Sequence, residues 1–245
     1  MPVPRRAAYR VDKVIWSALD WLYPPYCGGC GQKGMRWCLD CQQKIHVIRP
    51  PVCPKCGDSQ TPARLCFSCK TTQPCYDNLR SWAYFDGPVR NAIHRLKYKR
   101  DVALGDVLSN HLVSLLKELC WPVDLVIPVP LGVARLNERG YNQSALLARP
   151  IALEMRLDYQ PKALERIRET RSQVDLNAAE RRDNVAGAFR ASHAAVNGRQ
   201  ILVVDDVTTS GATLDACSAA LKEAGARRVY GITLTRALYK GKRSF

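Results

Sequence analysis

The stretch ILVVDDVTTSGAT, residues 201 to 213, runs four aliphatic side chains into two adjacent carboxylates, Asp205 and Asp206, and then into hydroxyls around one glycine. The pattern predicts a buried strand at 201 to 204 that ends where a helix is about to begin. At the carboxyl end of a parallel strand, side chains face the crevice where open α/β sheets bind ligands. The first turn of the next helix offers unpaired N–H groups and a partial positive charge, which attract phosphate. Thr208, Thr209, Ser210 and Thr213 add hydroxyl donors, and Gly211, followed by Ala212, lets the backbone approach closely. Two carboxylates beside such a cup repel a phosphate but accept hydrogen bonds from nearby hydroxyls. A ribose 5-phosphate has both features, a vicinal diol and a terminal phosphate. A Walker loop needs a glycine-lysine-hydroxyl ending, and no lysine stands here. The dinucleotide glycine fingerprint is absent too, and a phosphoacceptor domain carries its paired acids near its start. The bland reading, a strand that happens to end in a helix cap, is given less weight.

The second set of reactive residues is sulfur. Of eleven cysteines, eight fall in four C-x-x-C pairs: Cys27/Cys30, Cys38/Cys41, Cys53/Cys56 and Cys66/Cys69, separated by 7, 11 and 9 residues. Zinc takes four soft ligands at tetrahedral corners, and a two-residue gap lets two sulfurs reach one ion. One such pair has a redox alternative, whereas four in succession predict two structural zinc sites of four thiolates each. Sequential pairing of the motifs is preferred to crossed pairing, which stays open. Cys217 lies on the apolar side of its helix with Leu214 and Leu221, as a core residue would.

These groups need elements to position them. Val11, Val14, Ile15, Ala18, Leu19 and Leu22 recur at helical offsets, an amphipathic helix ended by Pro24-Pro25. Residues 1–25 are read as that helix and its lead-in, and 26–77 as a Cys-rich module in which metal replaces a core. Residues 78–245 form the second domain. LRSWAYF reads as a strand, and Asp86-Gly87-Pro88 opens a helix with proline in its tolerated first turn. VDLVIPVP is a short buried strand, and YNQSALLARPIALEM a helix that Pro150 should kink near Arg149. The polar stretch 160–190 reads as a mobile hairpin or lid. A helix from about Thr213 to Ala224, capped by Gly225, leads to the strand RVYGITLTR. Strands alternating with helices imply a parallel sheet.

The formal net charge is +15, and two zincs on eight thiolates would lower it to about +11. That excess suits an anionic partner such as nucleic acid or a nucleotide phosphate, or else serves solubility alone. Arg36, Trp37, Lys44, Arg49, Lys55, Phe67 and Lys70 mix cations with flat rings, as single-strand binders do. A zinc cap that packs its rings inward explains the same residues equally well. Arg90, His94 and Lys97 share one face of a basic helix that either tracks phosphates or is simply solvated. No apolar run approaches the ~18 residues of a membrane span. No secretory signal is visible, so a reducing cytoplasm is the expected compartment.

VVDDVTTSGAT resembles the phosphoribosyl pyrophosphate (PRPP) motif of type I phosphoribosyltransferases, with Ser210 where threonine is more usual. The wider pattern is similar to the ComF/GntX family, linked to competence and DNA utilisation. It consists of the paired cysteines, YFDGPVRNAIHRLKYKRD, VIPVPLGVARLNERGYNQSALLA, RIRETRSQVDLNAAERRDNVAGAF and the PRPP loop, in order over roughly residues 20 to 237. The resemblance implies an α/β parallel-sheet phosphoribosyltransferase fold behind a small zinc-binding module. It implies that Asp205 and Asp206 hold the ribose hydroxyls, as catalytic residues if transfer occurs, and that Thr208 to Thr213 bind PRPP. Val129, Pro130 and Leu131 would form a pyrophosphate loop, with a cis Val129-Pro130 bond expected. Arg139, Arg168 and Arg181 are candidates to neutralise pyrophosphate, or are surface charge. Mg²⁺ would arrive with PRPP, and 160–190 would close over it. The implied partners are PRPP, single-stranded DNA and a DNA-uptake apparatus. The alternative is an active phosphoribosyltransferase that releases pyrophosphate to a small base or amine, although ALYKGKRSF resembles no base pocket.

Overall fold

A computed structural model describes residues 24–170 and 177–238 of the chain. The amphipathic helix expected over 11 to 22 lies outside the described residues. Five strands build one parallel sheet: β1 (Asn78–Tyr84), β2 (Leu125–Pro128), β3 (Asp158–Tyr159), β6 (Gln200–Thr208) and β7 (Arg228–Arg236), in the order β1-β7-β6-β2-β3. The polar stretch 160–190 supplies a separate antiparallel pair, β4 (Leu164–Arg166) with β5 (Phe189–Ala191).

The sheet is buried on both faces, and side-chain alternation along β6 divides the core in two. Ile201 and Val203 pack with Leu125, Ile127, Leu214 and Leu221 on one side. Leu202 and Val204 pack with Ile93, Leu112, Ile151 and Ile232 on the other. Each such aliphatic side chain contributes about 1.5–3 kcal/mol by leaving water. Cys217 is fully buried in the first core, as its helical position predicted.

The second face is covered by α3 (Gly87–Tyr98), α4 (Leu104–Leu119) and α6 (Gln143–Met155). Pro88 sits in the first turn of α3, which buries Val89, Ala92, Ile93 and Leu96. Helix α6 is one uninterrupted element through Pro150, which is buried. The first face carries α9 (Ala212–Glu223), which ends at Gly225 with φ +91° and its N–H on Lys222 O. Between β4 and β5 lies α7 (Ala178–Val185), packed on α9. Short α5 (Val133–Arg139) and α8 (His193–Val196) are the other helices of this region among the described residues. No helix among the described residues is long and apolar enough to cross a membrane.

The cysteine-rich segment holds α1 (Leu39–Gln43) and α2 (Phe67–Thr72) and lies directly against the sheet domain. Its connecting stretch pairs with the outer edge of β1: Ile48 N–H donates to Trp82 O, and Tyr84 N–H to His46 O. Two glycines permit the close approach. A Cβ on Gly28 would lie 2.6 Å from Leu104 Cδ2, and one on Gly57 2.7 Å from Leu79 O.

Candidate functional site

Each C-x-x-C pair folds around its metal position by the same local means. Gly31 N–H donates to Cys27 O and Gly57 N–H to Cys53 O, both glycines at positive φ, so each first pair curls back on itself. Each second pair opens a helix: the Cys38 sulfur accepts from Cys41 N–H, and the Cys66 sulfur from Cys69 N–H. The sulfurs gather as two clusters, Cys27/Cys30/Cys38/Cys41 and Cys53/Cys56/Cys66/Cys69, each within 4.8 Å. Sequential pairing is therefore the one adopted. A zinc tetrahedron with ~2.3 Å bonds has sulfurs ~3.8 Å apart. The S···S separations are 3.6 Å for Cys27–Cys38, 3.6 Å for Cys27–Cys41, 3.7 Å for Cys30–Cys38 and 3.6 Å for Cys56–Cys66. Two Cys₄ sites of zinc dimensions fit the residues present. In the second, a hydrogen bond from Cys69 outweighs burial and, with the nearby Arg236 charge, holds the Cys56 thiol down at about 5. It stands ready as a thiolate.

The ring-and-cation set divides. Trp37 packs beside the first cluster and donates to Gln42, whereas Phe67, on the first residue of α2, is 85% exposed.

The other site lies at the carboxyl end of β6. The strand runs past the expected Val204 to Thr208, so both acids are strand residues, and both are buried. Successive strand side chains leave opposite faces, and the two acids take different partners. Asp205 Oδ1 accepts from Ser144 Oγ at 2.8 Å and from Asp206 N–H at 2.9 Å. Asp206 Oδ2 lies 2.6 Å from Lys97 Nζ. Burial and the adjacent Asp206 charge push Asp205 up to about 7. Burial works the same way on Asp206, but the Lys97 ammonium and hydrogen bonds from Lys97, Asp205 and Gln143 hold its carboxyl below the usual range. One acid is thus poised to carry a proton near neutrality while its neighbour stays ionised, an arrangement that places hydroxyl acceptors without doubling the charge.

Lys97 belongs to this site, which corrects the expectation of a phosphate-tracking or solvated side chain. It borders the buried stripe of α3, one turn beyond Ile93, and only 21% of its side chain is exposed. Ser144 and Gln143 open α6, where the Asn142 side chain caps Ser144 N–H. Nothing in the helical spacing of YNQSALLARPIALEM marks Gln143 or Ser144 as site residues.

After Thr208, which is buried, the chain turns through Thr209 and Ser210 to Gly211, at φ +81°, and Ala212 starts α9, with Thr213 in its first turn. Thr209, Ser210, Gly211 and Ala212 line a cavity of about 60 Å³ together with Tyr76, Arg182, Asp215, Arg236 and Cys56, Cys66 and Cys69 of the second ribbon. The PVPLG segment lies alongside. Pro128 pairs with Val204, and Val129 N–H donates to Val204 O. This places Val129 against the residue that precedes the two acids, with Pro130 and Leu131 following it in the chain. The Val129-Pro130 bond is not cis; the cis bonds among the described residues are Pro50-Pro51 and Thr61-Pro62. Val129 simply extends the strand by one residue, with its carbonyl accepting from Asn142.

The three arginines separate. Arg139 donates to Gln143 Oε1 at 2.8 Å and stacks 5.2 Å from the Tyr98 ring centre, so Gln143 links it to Asp206. Arg168 is held by the carbonyls of Asn184 and Ala186, inside the hairpin. Arg181 sits in α7 with its N–H on Asn177 O, and it is its neighbour Arg182 that lines the cavity. An unanticipated acid, Glu169, reaches from the hairpin to the start of α5, where it accepts from Ala134 N–H at 3.4 Å. A carboxylate therefore occupies the place expected to receive an anion.

Comparison with known proteins follows the same division. The "Double zinc ribbon domain" family model matches residues 18–70. The chain is 34% identical over 194 residues to the "DNA utilization protein YhgH" of Escherichia coli O157:H7, covering 76% of this chain and 85% of that protein. It is 29% identical to "Competence protein F" of Haemophilus influenzae (82% and 90% covered) and 26% identical to "Competence protein ComFC" of Bacillus subtilis (91% and 90%). Among solved structures, the adenine phosphoribosyltransferase of Thermoanaerobacter pseudethanolicus is similar at 15% identity and TM-score 0.38, over 57% of this chain and 72% of that one. With a double zinc ribbon packed on a parallel α/β sheet, and with that identity over most of its length, the chain belongs to the ComF/GntX family of competence protein F relatives.

Proposed function

We propose that this protein binds PRPP with Mg²⁺ at the end of β6 and single-stranded DNA on its basic surface, as a cytoplasmic component of DNA uptake or utilisation. The observation that carries the PRPP half is the continuity of acceptor and donor groups. Two buried carboxylates at the end of a central strand run directly into a loop with a left-handed Gly211 and a 12-residue helix. In this reading Asp205 and Asp206 accept from the ribose diol, and Thr209 to Thr213 hold the 5-phosphate against the helix N-terminus. Val129 to Leu131 receive the pyrophosphate, from which Glu169 withdraws, and Arg139 supplies positive charge through the Gln143 network. Mg²⁺, held by ligand oxygens and water, supplies charge neutralisation on the pyrophosphate. The DNA half is supported by the net charge of +15 and by the exposed Phe67 ring on α2, one helical turn before the exposed Lys70. Calorimetry with PRPP and Mg²⁺, before and after adding single-stranded DNA, tests both halves. The Asp205→Asn, Asp206→Asn double variant is expected to lose PRPP binding and keep DNA affinity. Wild-type protein with no heat of PRPP binding would sink the first half, and no DNA affinity in zinc-loaded protein at low salt would sink the second.

A further inference from the structure

The cavity beside Gly211 has one wall from the ribose-phosphate loop and one from the second zinc ribbon, and between them lies a buried guanidinium with no carboxylate in ion-pair contact. Arg236, the last residue of β7, is 6% exposed. Its Nη2 donates to Cys56 O, while its buried Nε has no acceptor. Among the described residues no carboxylate lies within ion-pair distance of it, although a buried guanidinium is costly unless paired. Tyr76, 2% exposed, places its hydroxyl 3.3 Å from where a Cβ of Gly211 would lie, and so stands against the turn that opens α9. At about 60 Å³ the cavity has room for four or five water centres, comparable to the oxygens of one phosphoryl group.

We propose that Arg236 and Tyr76 complete the subsite for a phosphate monoester, so that the second ribbon is a wall of that subsite and its zinc supports the affinity for the ligand's phosphoryl end. This rests on the PRPP reading and extends it to residues outside the loop motif. The Arg236 guanidinium bridges the two halves: one edge is fixed to the backbone of a zinc ligand, and its charge is available to the anion. A phosphoryl group supplies the acceptor that Arg236 Nε lacks and a counter-charge on the side away from the cysteine cluster, and the tyrosine hydroxyl adds a neutral donor. The Asp215 carboxylate shares the lining, but its Oδ1 is engaged by Cys75 N–H at 2.6 Å.

The test is calorimetry on the full chain with ribose 5-phosphate and, separately, pyrophosphate, with bound zinc counted in every sample. Arg236→Met is expected to weaken ribose 5-phosphate binding by roughly 10- to 100-fold, as loss of a charge-assisted contact does. Pyrophosphate affinity and two zincs per chain should persist. Tyr76→Phe should cost about five-fold for the monoester alone. If Arg236→Met binds the monoester within three-fold of wild type, the proposal fails. It fails equally if the variant loses a zinc along with its affinity, since the arginine would then only hold the ribbon. Should that variant not fold, Tyr76→Phe decides alone, and unchanged affinity overturns the assignment. Wild type that binds neither ligand would remove the PRPP reading itself, an outcome distinct from a failure confined to the variants.

Discussion

Replacing Lys97 by methionine keeps most of the side chain's length and removes its charge, leaving Asp206 ionised and buried without its partner. The pair is 2.6 Å apart, with 21% of the lysine and 4% of the aspartate side chain exposed. Breaking a buried pair costs about 3–5 kcal/mol, because the surviving charge is left in a poorly polarisable site. The partial exposure of Lys97 admits some water, so the lower end, about 3 kcal/mol, is expected. For a chain of this size about 1 kcal/mol moves the melting temperature by ~2–4 °C, so the variant should melt ~6–12 °C lower. Calorimetric melting at pH 7, with zinc held constant in all samples, measures this. Adding Asp206→Asn should recover more than half the loss, since a neutral amide needs no counter-ion. A drop below about 2 °C for Lys97→Met, or no recovery in the double variant, would refute the reasoning and return Lys97 to the solvated face of α3.

Two further outcomes follow from the same geometry. Each chain should carry two zincs; Cys53→Ser should lower that to one, read by a colorimetric zinc assay after denaturation, and a retained second zinc would contradict the sequential clusters. Asp205, pushed up to about 7, should hold a proton in the folded state that the unfolded chain releases near 4. Its contribution to stability is therefore fully present below about pH 4 and is lost as pH rises through about 7, by a few kcal/mol in all. Asp205→Asn should flatten that decline in urea melts between pH 5 and 8, and parallel profiles for wild type and variant would count against the raised value.

The chain's local rules were readable because they are short-range. The helical spacing of Val89, Ile93 and Leu96 predicts an apolar face on α3, which the structure buries together with Ala92, and the four aliphatics at 201–204 predict a buried strand. The cysteine spacing predicts two zinc sites and leaves their pairing open, with sequential preferred, and the two clusters adopt the sequential arrangement. What sequence spacing does not contain is the register of one element against another. Lys97 sits at the margin of its helix's apolar stripe, and only the placement of α3 across the end of β6 turns it inward to Asp206. The same holds for the length of β6. Two carboxylates in a row read as the end of a strand, yet Ser144, Gln143 and Lys97 supply partners that let the strand run on to Thr208. Arg236 gave no signal at all, since a basic residue at the end of a strand ordinarily reaches solvent.

The two ribbons are alike in local geometry but brace opposite sides of the site. The first lies against α3 and α4: Asn91, on α3, donates to Gly29 O, and Gly28 leaves no room for a side chain beneath Leu104. The second lies against β1 and the end of β7, and shares a cavity with the loop after β6: Leu79 N–H donates to Lys55 O, Arg80 to Pro54 O, and Arg236 to Cys56 O. Helix α3 carries the counter-ion of Asp206, and the loop carries Gly211. A zinc-bound Cys₄ cluster of this size has little core of its own, so its rigidity comes from the metal. In the proposed PRPP reading, the two Cys₄ clusters therefore support different parts of one ligand site. On that reading, loss of the first metal would loosen the helix that carries Lys97, and loss of the second would loosen the wall behind the proposed phosphate subsite. A zinc module that served only as a detached DNA-binding appendage would have no reason to be keyed into both places.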